Sequence, residues 1–249
     1  VISVRNITKR FGAQTVLDNV SLEIGAGQTT AIVGPSGVGK SVLLKLITGI
    51  LTPEEGEILI DGENITTATS EQERNRIRES LGVLFQAAAL FDSLTIYENV
   101  LFPLIERSGL SRQAAHPLVV DMLNSLSLCE YAKNVPEEVS IGIRKRVGLA
   151  RALVTKPKIV LFDEPNTGLD PVVGQEVYDL IKLTKHAMGY TGIVISHELP
   201  EVFQVSDRVV MLLKGRVIMD GTPQEFIRSE HPAVQQFLYG RTDGPIRIQ

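Results

Sequence analysis

The hydrophobic residues of this 249-residue chain follow two regimes. Near the N-terminus they alternate with polar residues over Val1 to Val4, again from Ile7 to Phe11, and then at Val20, Leu22 and Ile24. A period of two marks strands with one buried face, and Gly12 and Gly25-Ala26-Gly27 supply turns. Glu57-Ile58-Leu59-Ile60 before Asp61-Gly62 reads as a hairpin strand with its turn. Further on, the apolar residues come as short unbroken runs: Thr30-Ala31-Ile32-Val33, Val83-Leu84-Phe85, Ile159-Val160-Leu161-Phe162 and Ile193-Val194-Ile195. Such runs, rich in β-branched residues, predict strands buried on both faces, as in a parallel sheet.

Helical spacing separates these runs. It predicts helices over 42–47, 70–80, 94–105 and 172–188, and a short one near Glu201. Thr95 and Glu98 are spaced as a capping box. Pro117 is expected near the start of a helix whose inner face carries Leu118, Val119, Met122, Leu123 and Leu126. Late in the chain come strands over 208–213 and 216–219, joined at Lys214-Gly215, then two short helices over 223–239 and an irregular extension beyond Gly240. Residues 87–156 contain no convincing strand. The fold class is therefore α/β: an α/β core over 1–86 and 157–222 with an N-terminal antiparallel β subdomain, an inserted α-helical subdomain over 87–156, and a C-terminal tail over 223–249.

Composition narrows this little. With 43% hydrophobic and 22% charged residues the chain is an ordinary globular one, and a net charge of −4 gives no support to a polyanion-binding surface. The single cysteine, Cys129, has no intramolecular partner, which fits a reducing compartment. No apolar run approaches the roughly 20 residues of a membrane span, and no signal peptide is expected ahead of the first strand. The chain opens on Val1 and not on Met, so an initiator or a few further residues are expected to precede it.

The candidate chemistry changes the picture most. Gly34-Pro35-Ser36-Gly37-Val38-Gly39-Lys40-Ser41 reads G-x-x-x-x-G-K-S between a buried strand and a helix, the setting of a phosphate-binding loop. Glycines let the backbone wrap an anion, and the first N–H groups of the helix lack internal partners and point at it. Lys40 brings a positive charge to the β- and γ-phosphates, and the Ser41 hydroxyl is placed for Mg²⁺. Three more buried strands end in polar residues: Gln86, Asp163-Glu164 and His197. In a parallel sheet these ends share one edge, where ligands bind. Asp163 is the expected partner of Mg²⁺, and Glu164 is the carboxylate that orients or deprotonates an attacking water. His197 reads as a γ-phosphate donor or a structural histidine, and Gln86 as a ligand to metal or water or a strand cap. Phe11 reads as a base-stacking ring or as core. Ser140 is an N-cap.

Together these residues resemble the ATP-binding cassette (ABC) ATPases, within the P-loop NTPases, over nearly the whole chain. Gly34 to Ser41 matches the Walker A motif, Ile159 to Asp163 Walker B, Gln86 the Q-loop, Gly168-Leu169-Asp170 the D-loop and His197 the switch histidine. The resemblance implies ATP and Mg²⁺ as cofactors. It places ATP on Phe11, Gly34, Pro35, Ser36, Gly37, Val38, Gly39, Lys40, Ser41 and Val42. Catalysis falls to Glu164, His197 and Gln86, and the metal to Ser41, Gln86 and Asp163. It also implies a head-to-tail homodimer in which Ser140 and Gly142 of the signature complete the ATP site of the other copy. A membrane partner would read this cycle through the helical subdomain near Gln86.

A narrower resemblance, to the ATPases of Mla/Mce-type lipid transporters, rests on residues 85–95, on 144–152 and on Gln236-Phe237-Leu238-Tyr239-Gly240. It implies transmembrane permease subunits, a small accessory cytoplasmic subunit, a periplasmic lipid-binding MCE-type subunit, and a place on the cytoplasmic face of the inner membrane. No nucleic-acid partner is implied. One departure stands out. Ile141 occupies the position of the first signature glycine, where a β-branched side chain is expected to strain the backbone or crowd the opposing nucleotide. Two alternatives to a fully active transport ATPase follow: a nucleotide-gated binding module with weak hydrolysis, or the ATPase of another ABC importer.

Overall fold

A computed structural model describes residues 2–247; Val1, where the first strand was expected to begin, lies outside the described residues. In chain order the strands and helices are β1 (Ile2–Phe11), β2 (Gln14–Ile24), β3 (Thr29–Val33), α1 (Lys40–Ile47), β4 (Glu55–Ile60), β5 (Glu63–Asn64), α2 (Glu71–Arg78), β6 (Leu81–Leu84), α3 (Ile96–Glu106), α4 (Arg112–Ser125), α5 (Ile141–Leu153), β7 (Ile159–Asp163), α6 (Pro171–Met188), β8 (Thr191–Ile195), α7 (Leu199–Phe203), β9 (Arg208–Leu213), β10 (Arg216–Gly221), α8 (Pro223–Arg228) and α9 (Pro232–Tyr239). They gather into two units, one made of the chain up to Arg78 and from Thr191 onward, the other of Glu79–Tyr190.

In the first unit, β1 is antiparallel to both β2 and β4, and β5 extends the sheet from β4. Its buried face carries Ile2, Val4, Ile7, Leu17, Val20, Leu22, Ile24, Ile58 and Ile60. Val4 and Ile7 are three apart and yet both buried, because the β1–β2 register shifts between them. Asn6 (φ 50°) and Asn19 (φ 51°) take left-handed conformations in these two strands, which asparagine tolerates better than most residues. This is why the alternation restarts after each of them. Beside this sheet, β3 runs parallel to β8 and to β9, and β10 returns antiparallel on β9. Every residue of β3 and β8 is buried, as their unbroken apolar runs require.

In the second unit, β6 and β7 pair in parallel from Leu81 with Ile159 to Leu84 with Phe162. Residues 87–156 hold α3, α4 and α5 and no strand. The capping box forms as read: Thr95 caps α3 and exchanges hydrogen bonds with Glu98. Pro117 is a correction. It is the sixth residue of α4, not near its start, because Ser111 caps the helix earlier by accepting from the Ala114 N–H at 3.2 Å. The hydrogen bond that proline cannot donate would have gone to Gln113, an exposed residue whose carbonyl water can serve. The inner face of α4 is Ala115, Val119 and Leu123, with Leu118 and Met122 only half-buried.

Asn99 anchors the turn before α3. It is fully buried; its Oδ1 accepts from the Phe91 N–H at 2.9 Å, and its Nδ2 reaches the carbonyls of Phe91, Leu94 and Thr95 at 3.1 Å each. Asn99→Ala leaves those groups without their partner, and the expected cost is about 1–3 kcal/mol. The measurement is urea unfolding, where the midpoint should fall with an unchanged slope.

Candidate functional site

The phosphate loop leaves β3 at Gly34 and enters α1 at Gly39, both within the first unit. Gly34 has φ 142°, and a Cβ there would stand 2.2 Å from the Leu212 carbonyl oxygen of β9. Gly39 has φ 103°, and its Cβ would stand 2.7 Å from Leu17 Cδ2. No other residue type follows that path without displacing backbone or core. Gly37 (φ 79°) faces open space instead. The loop is therefore pressed against β9 and β2 and open on the other side. The N-cap of α1 is Gly39, which brings no side chain to cap the helix, and the first turn of a helix is where an anion is bound by backbone N–H groups. This glycine cradle fits a polyphosphate.

Lys40, the first residue of α1, is buried. Its ammonium donates to the Gly34 carbonyl at 2.7 Å and the Pro35 carbonyl at 2.8 Å. A lysine held on the carbonyls of its own loop is poised to trade them for phosphate oxygens. Ser41 and Val42 follow, half-buried, in the first turn of α1. A cavity of about 720 Å³ opens beside the loop, lined among others by Thr15, Val16, Ser36, Gly37, Lys214 and Arg247. That is within the ~300–1,000 Å³ of small-ligand sites. Phe11 is not core: 47% of its surface is exposed at the β1–β2 turn, and Lys9 Nζ lies 5.2 Å from the ring centre. His197 follows β8, exposed, with Nε2 4.0 Å from Glu198 Oε1.

The second unit holds the remaining residues. Asp163, buried, ends β7. Glu164 comes next in a left-handed conformation, φ 47°, and its carboxylate accepts from the Thr167 hydroxyl at 3.1 Å. Gln86 stands exposed in the turn after β6. Asp170 caps α6, accepting from the Val172 and Val173 N–H groups at 3.1 Å each. Asn166, buried, accepts from the Tyr178 hydroxyl at 3.2 Å.

The signature segment opens α5. Ser140 is the N-cap, its hydroxyl accepting from the Ile143 N–H at 3.3 Å. Gly142 has no room for a side chain, since a Cβ would meet Val173 Cγ1 at 2.7 Å. Ile141 is the first residue of the helix and is not among the left-handed positions, so the expected backbone strain is absent. Its side chain is 43% exposed, with Cδ1 beside Gly168. What Ile141 changes is the surface offered by the N-terminus of α5.

Sequence reasoning missed two cations on α5. Lys145 is 2% exposed and donates to the main-chain carbonyls of Gln86 and Glu164. Burial pushes its ammonium below the usual lysine range, and the charges of Glu164 and Asp163 pull it back up. Arg151 donates to the carbonyls of Ala88 and Ala89 at 2.7 Å each. The signal for Lys145 was present: Gly142, Lys145, Leu149 and Ala152 share one helical stripe, so a lysine falls on an inward face.

Among the described residues no group of three His, Cys, Asp or Glu side chains could hold a metal by itself. A Mg²⁺ carried on nucleotide phosphates needs only one or two protein oxygens, and the hydroxyl, carboxylate and amide of Ser41, Asp163 and Gln86 are ligands of that hard-oxygen kind.

A family model described as ABC transporter matches residues 17–167. The chain is 39% identical over 249 residues to the intermembrane phospholipid transport system ATP-binding protein MlaF of Haemophilus influenzae, covering 100% of this chain and 94% of that protein. It is 41% identical to the probable ribonucleotide transport ATP-binding protein mkl of Mycobacterium leprae, covering 98% of this chain and 70% of that one. Among solved structures it is similar to the dimeric post-hydrolysis state of the ATP-binding cassette MJ0796 bound to ADP and Pi, with a TM-score of 0.81, 30% identity, and coverage of 90% of this chain and 99% of that one. The chain belongs to the ABC transporter family as an ATP-binding, ATP-hydrolysing cassette.

Proposed function

We propose that this cassette energises a membrane permease that moves phospholipid or another lipid between the membranes of a bacterial envelope. The observation that carries this reading is the match to MlaF over the full length of this chain and 94% of the relative. The glycine cradle and Lys40 support binding of the ATP phosphates. Mg²⁺, when bound, neutralises phosphate oxygens and orients them for attack. Ser41 and Asp163 are its proposed protein partners, with Gln86. Glu164 orients and deprotonates the attacking water, His197 donates to the γ-phosphate, and Phe11 stacks on the base. Ser140 and Gly142 bring the capped N-terminus of α5 to the nucleotide of a second copy, and Asp170 stands at that junction. The dimeric state of the MJ0796 cassette supports such a pairing.

No helix of the described residues is long and apolar enough to cross a membrane, so attachment through permease subunits on the cytoplasmic face of the inner membrane fits this reading. The helical segment 87–156 is the proposed docking region, residues 1–86 and 157–222 the nucleotide-binding core, and 223–249 the tail. A small cytoplasmic accessory subunit and a periplasmic lipid-binding subunit complete the proposed assembly. A second reading, transport of ribonucleotides, is favoured by the similarity to mkl.

Purification from detergent-solubilised membranes through a tag on this chain separates the two. A multi-span permease with a periplasmic lipid-binding subunit and bound phospholipid is expected; a permease with a ribonucleotide-binding subunit and no lipid-binding partner would sink the lipid reading. In the same complex, Glu164→Gln should lower ATP turnover by about 10²-fold or more while MgATP binding persists. Wild-type turnover no faster than this variant would instead identify a nucleotide-gated module. Ile141→Gly tests the signature: if its side chain crowds the opposing nucleotide, turnover should rise about three- to tenfold, which is ~0.7–1.4 kcal/mol in the barrier. Unchanged turnover would mean that the isoleucine is tolerated.

A further inference from the structure

Lys145 is the one charged residue on the inward stripe of α5, and its surroundings are unusual for a charge. Its two hydrogen-bond partners are main-chain carbonyls, those of Gln86 and, at 3.3 Å, of Glu164. Among the described residues it forms no ion pair with a carboxylate. A buried ammonium is costly even with the charges of Glu164 and Asp163 offsetting part of that cost, and an unbranched apolar side chain of similar size, such as methionine, would fill the space without it. Packing therefore does not explain the lysine; its two carbonyl partners do.

Those carbonyls belong to residues just past the C-terminal ends of β6 and β7, 78 positions apart in sequence. Glu164 sits at φ 47°, a conformation that is uncommon for a residue with a Cβ and that persists only where its surroundings hold it. Lys145 supplies one such hold, on the carbonyl of that same residue. The approach is close throughout. At Gly148, three residues further along α5, a Cβ would stand 2.7 Å from Leu84 Cδ1 and 3.0 Å from Ala88 Cβ. One turn beyond Gly148, Arg151 takes the carbonyls of Ala88 and Ala89, both themselves left-handed at φ 58° and 47°. The turn after β6 is thus fastened to α5 along its length, and Lys145 joins that turn to the residue after β7.

We propose that Lys145 is a positioning residue for ATP hydrolysis, holding the backbones of Gln86 and Glu164 in mutual register from the helix that begins with the signature. Its ammonium is taken by two main-chain carbonyls, so it acts through Gln86 and Glu164. Removing it lets the Glu164 carboxylate and the Gln86 amide drift from their reacting positions while the phosphate loop, in the other unit, still binds ATP. The inference rests on the roles proposed above for Glu164 and Gln86.

The test uses the membrane-purified complex carrying Lys145→Met, which keeps bulk and removes both donations, and Lys145→Gln, which keeps a donor. The expected result is a kcat at least tenfold lower for Lys145→Met and intermediate for Lys145→Gln. KM for MgATP should stay within twofold of wild type, and the thermal midpoint should be unchanged or higher. A kcat within twofold of wild type in Lys145→Met overturns the proposal. So does a loss of kcat matched by a rise in KM and a lower midpoint, the pattern of a merely structural residue. If Lys145→Met does not fold, Lys145→Gln is read by the same criteria. Glu164→Gln is measured alongside. Wild-type turnover in that variant overturns the role of Glu164, and with it the object that Lys145 positions. Loss there, with full kcat in Lys145→Met, sinks the role of Lys145 alone.

Discussion

Close approach of backbone to backbone at Gly34 is the constraint from which the nucleotide half-site follows. A Cβ at that residue would collide with the Leu212 carbonyl at 2.2 Å, and one at Gly39 with the Leu17 side chain at 2.7 Å. The loop can be pressed that hard against β9 and β2 only because two of its residues have no side chain. At Gly37 the loop faces open space on the opposite side, and Lys40 closes the ring by holding the carbonyls of Gly34 and Pro35. The burial of β3 and β8 on both faces keeps this frame stiff. An anion that enters replaces contacts already arranged for it, which lowers the cost of ordering the site.

The second unit uses cations where the first uses glycines. Carbonyls left over by an irregular turn after β6 need donors, and α5 supplies them from Lys145 and Arg151. Left-handed backbone at Ala88, Ala89 and Glu164 turns those carbonyls toward the helix. The arrangement links the N-terminus of α5, where Ser140 and Ile141 stand, to the segment around Gln86. Ile141, a normal helical residue with an exposed side chain, alters the surface at that N-terminus without deforming the helix.

What the sequence by itself determined rested on local signals. Period-two alternation located β1 and β2, the Asp61-Gly62 turn located β4, unbroken apolar runs located β3, β6, β7 and β8, and a Thr95–Glu98 capping box located the start of α3, because each signal reflects interactions between residues close in the chain. The phosphate loop was legible for the same reason: its glycines, lysine and serine act within eight consecutive residues. Even the wrong start of α4 was a local contest, in which Ser111 outweighed Pro117.

Only the tertiary structure decided which polar residues meet. Lys145 was a basic residue among three, in Arg144-Lys145-Arg146, until packing turned it inward onto carbonyls from two other segments. Phe11 stood between base platform and core until its exposure at the hairpin corner removed the core reading. Ile141 could have strained the backbone or not until its place as the first helical residue settled the matter. For Phe11 the deciding quantity is burial, and for Lys145 it is the pair of carbonyls that packing brings to an inward helical stripe; both depend on where separate elements pack, whereas Ile141 was decided by where α5 begins.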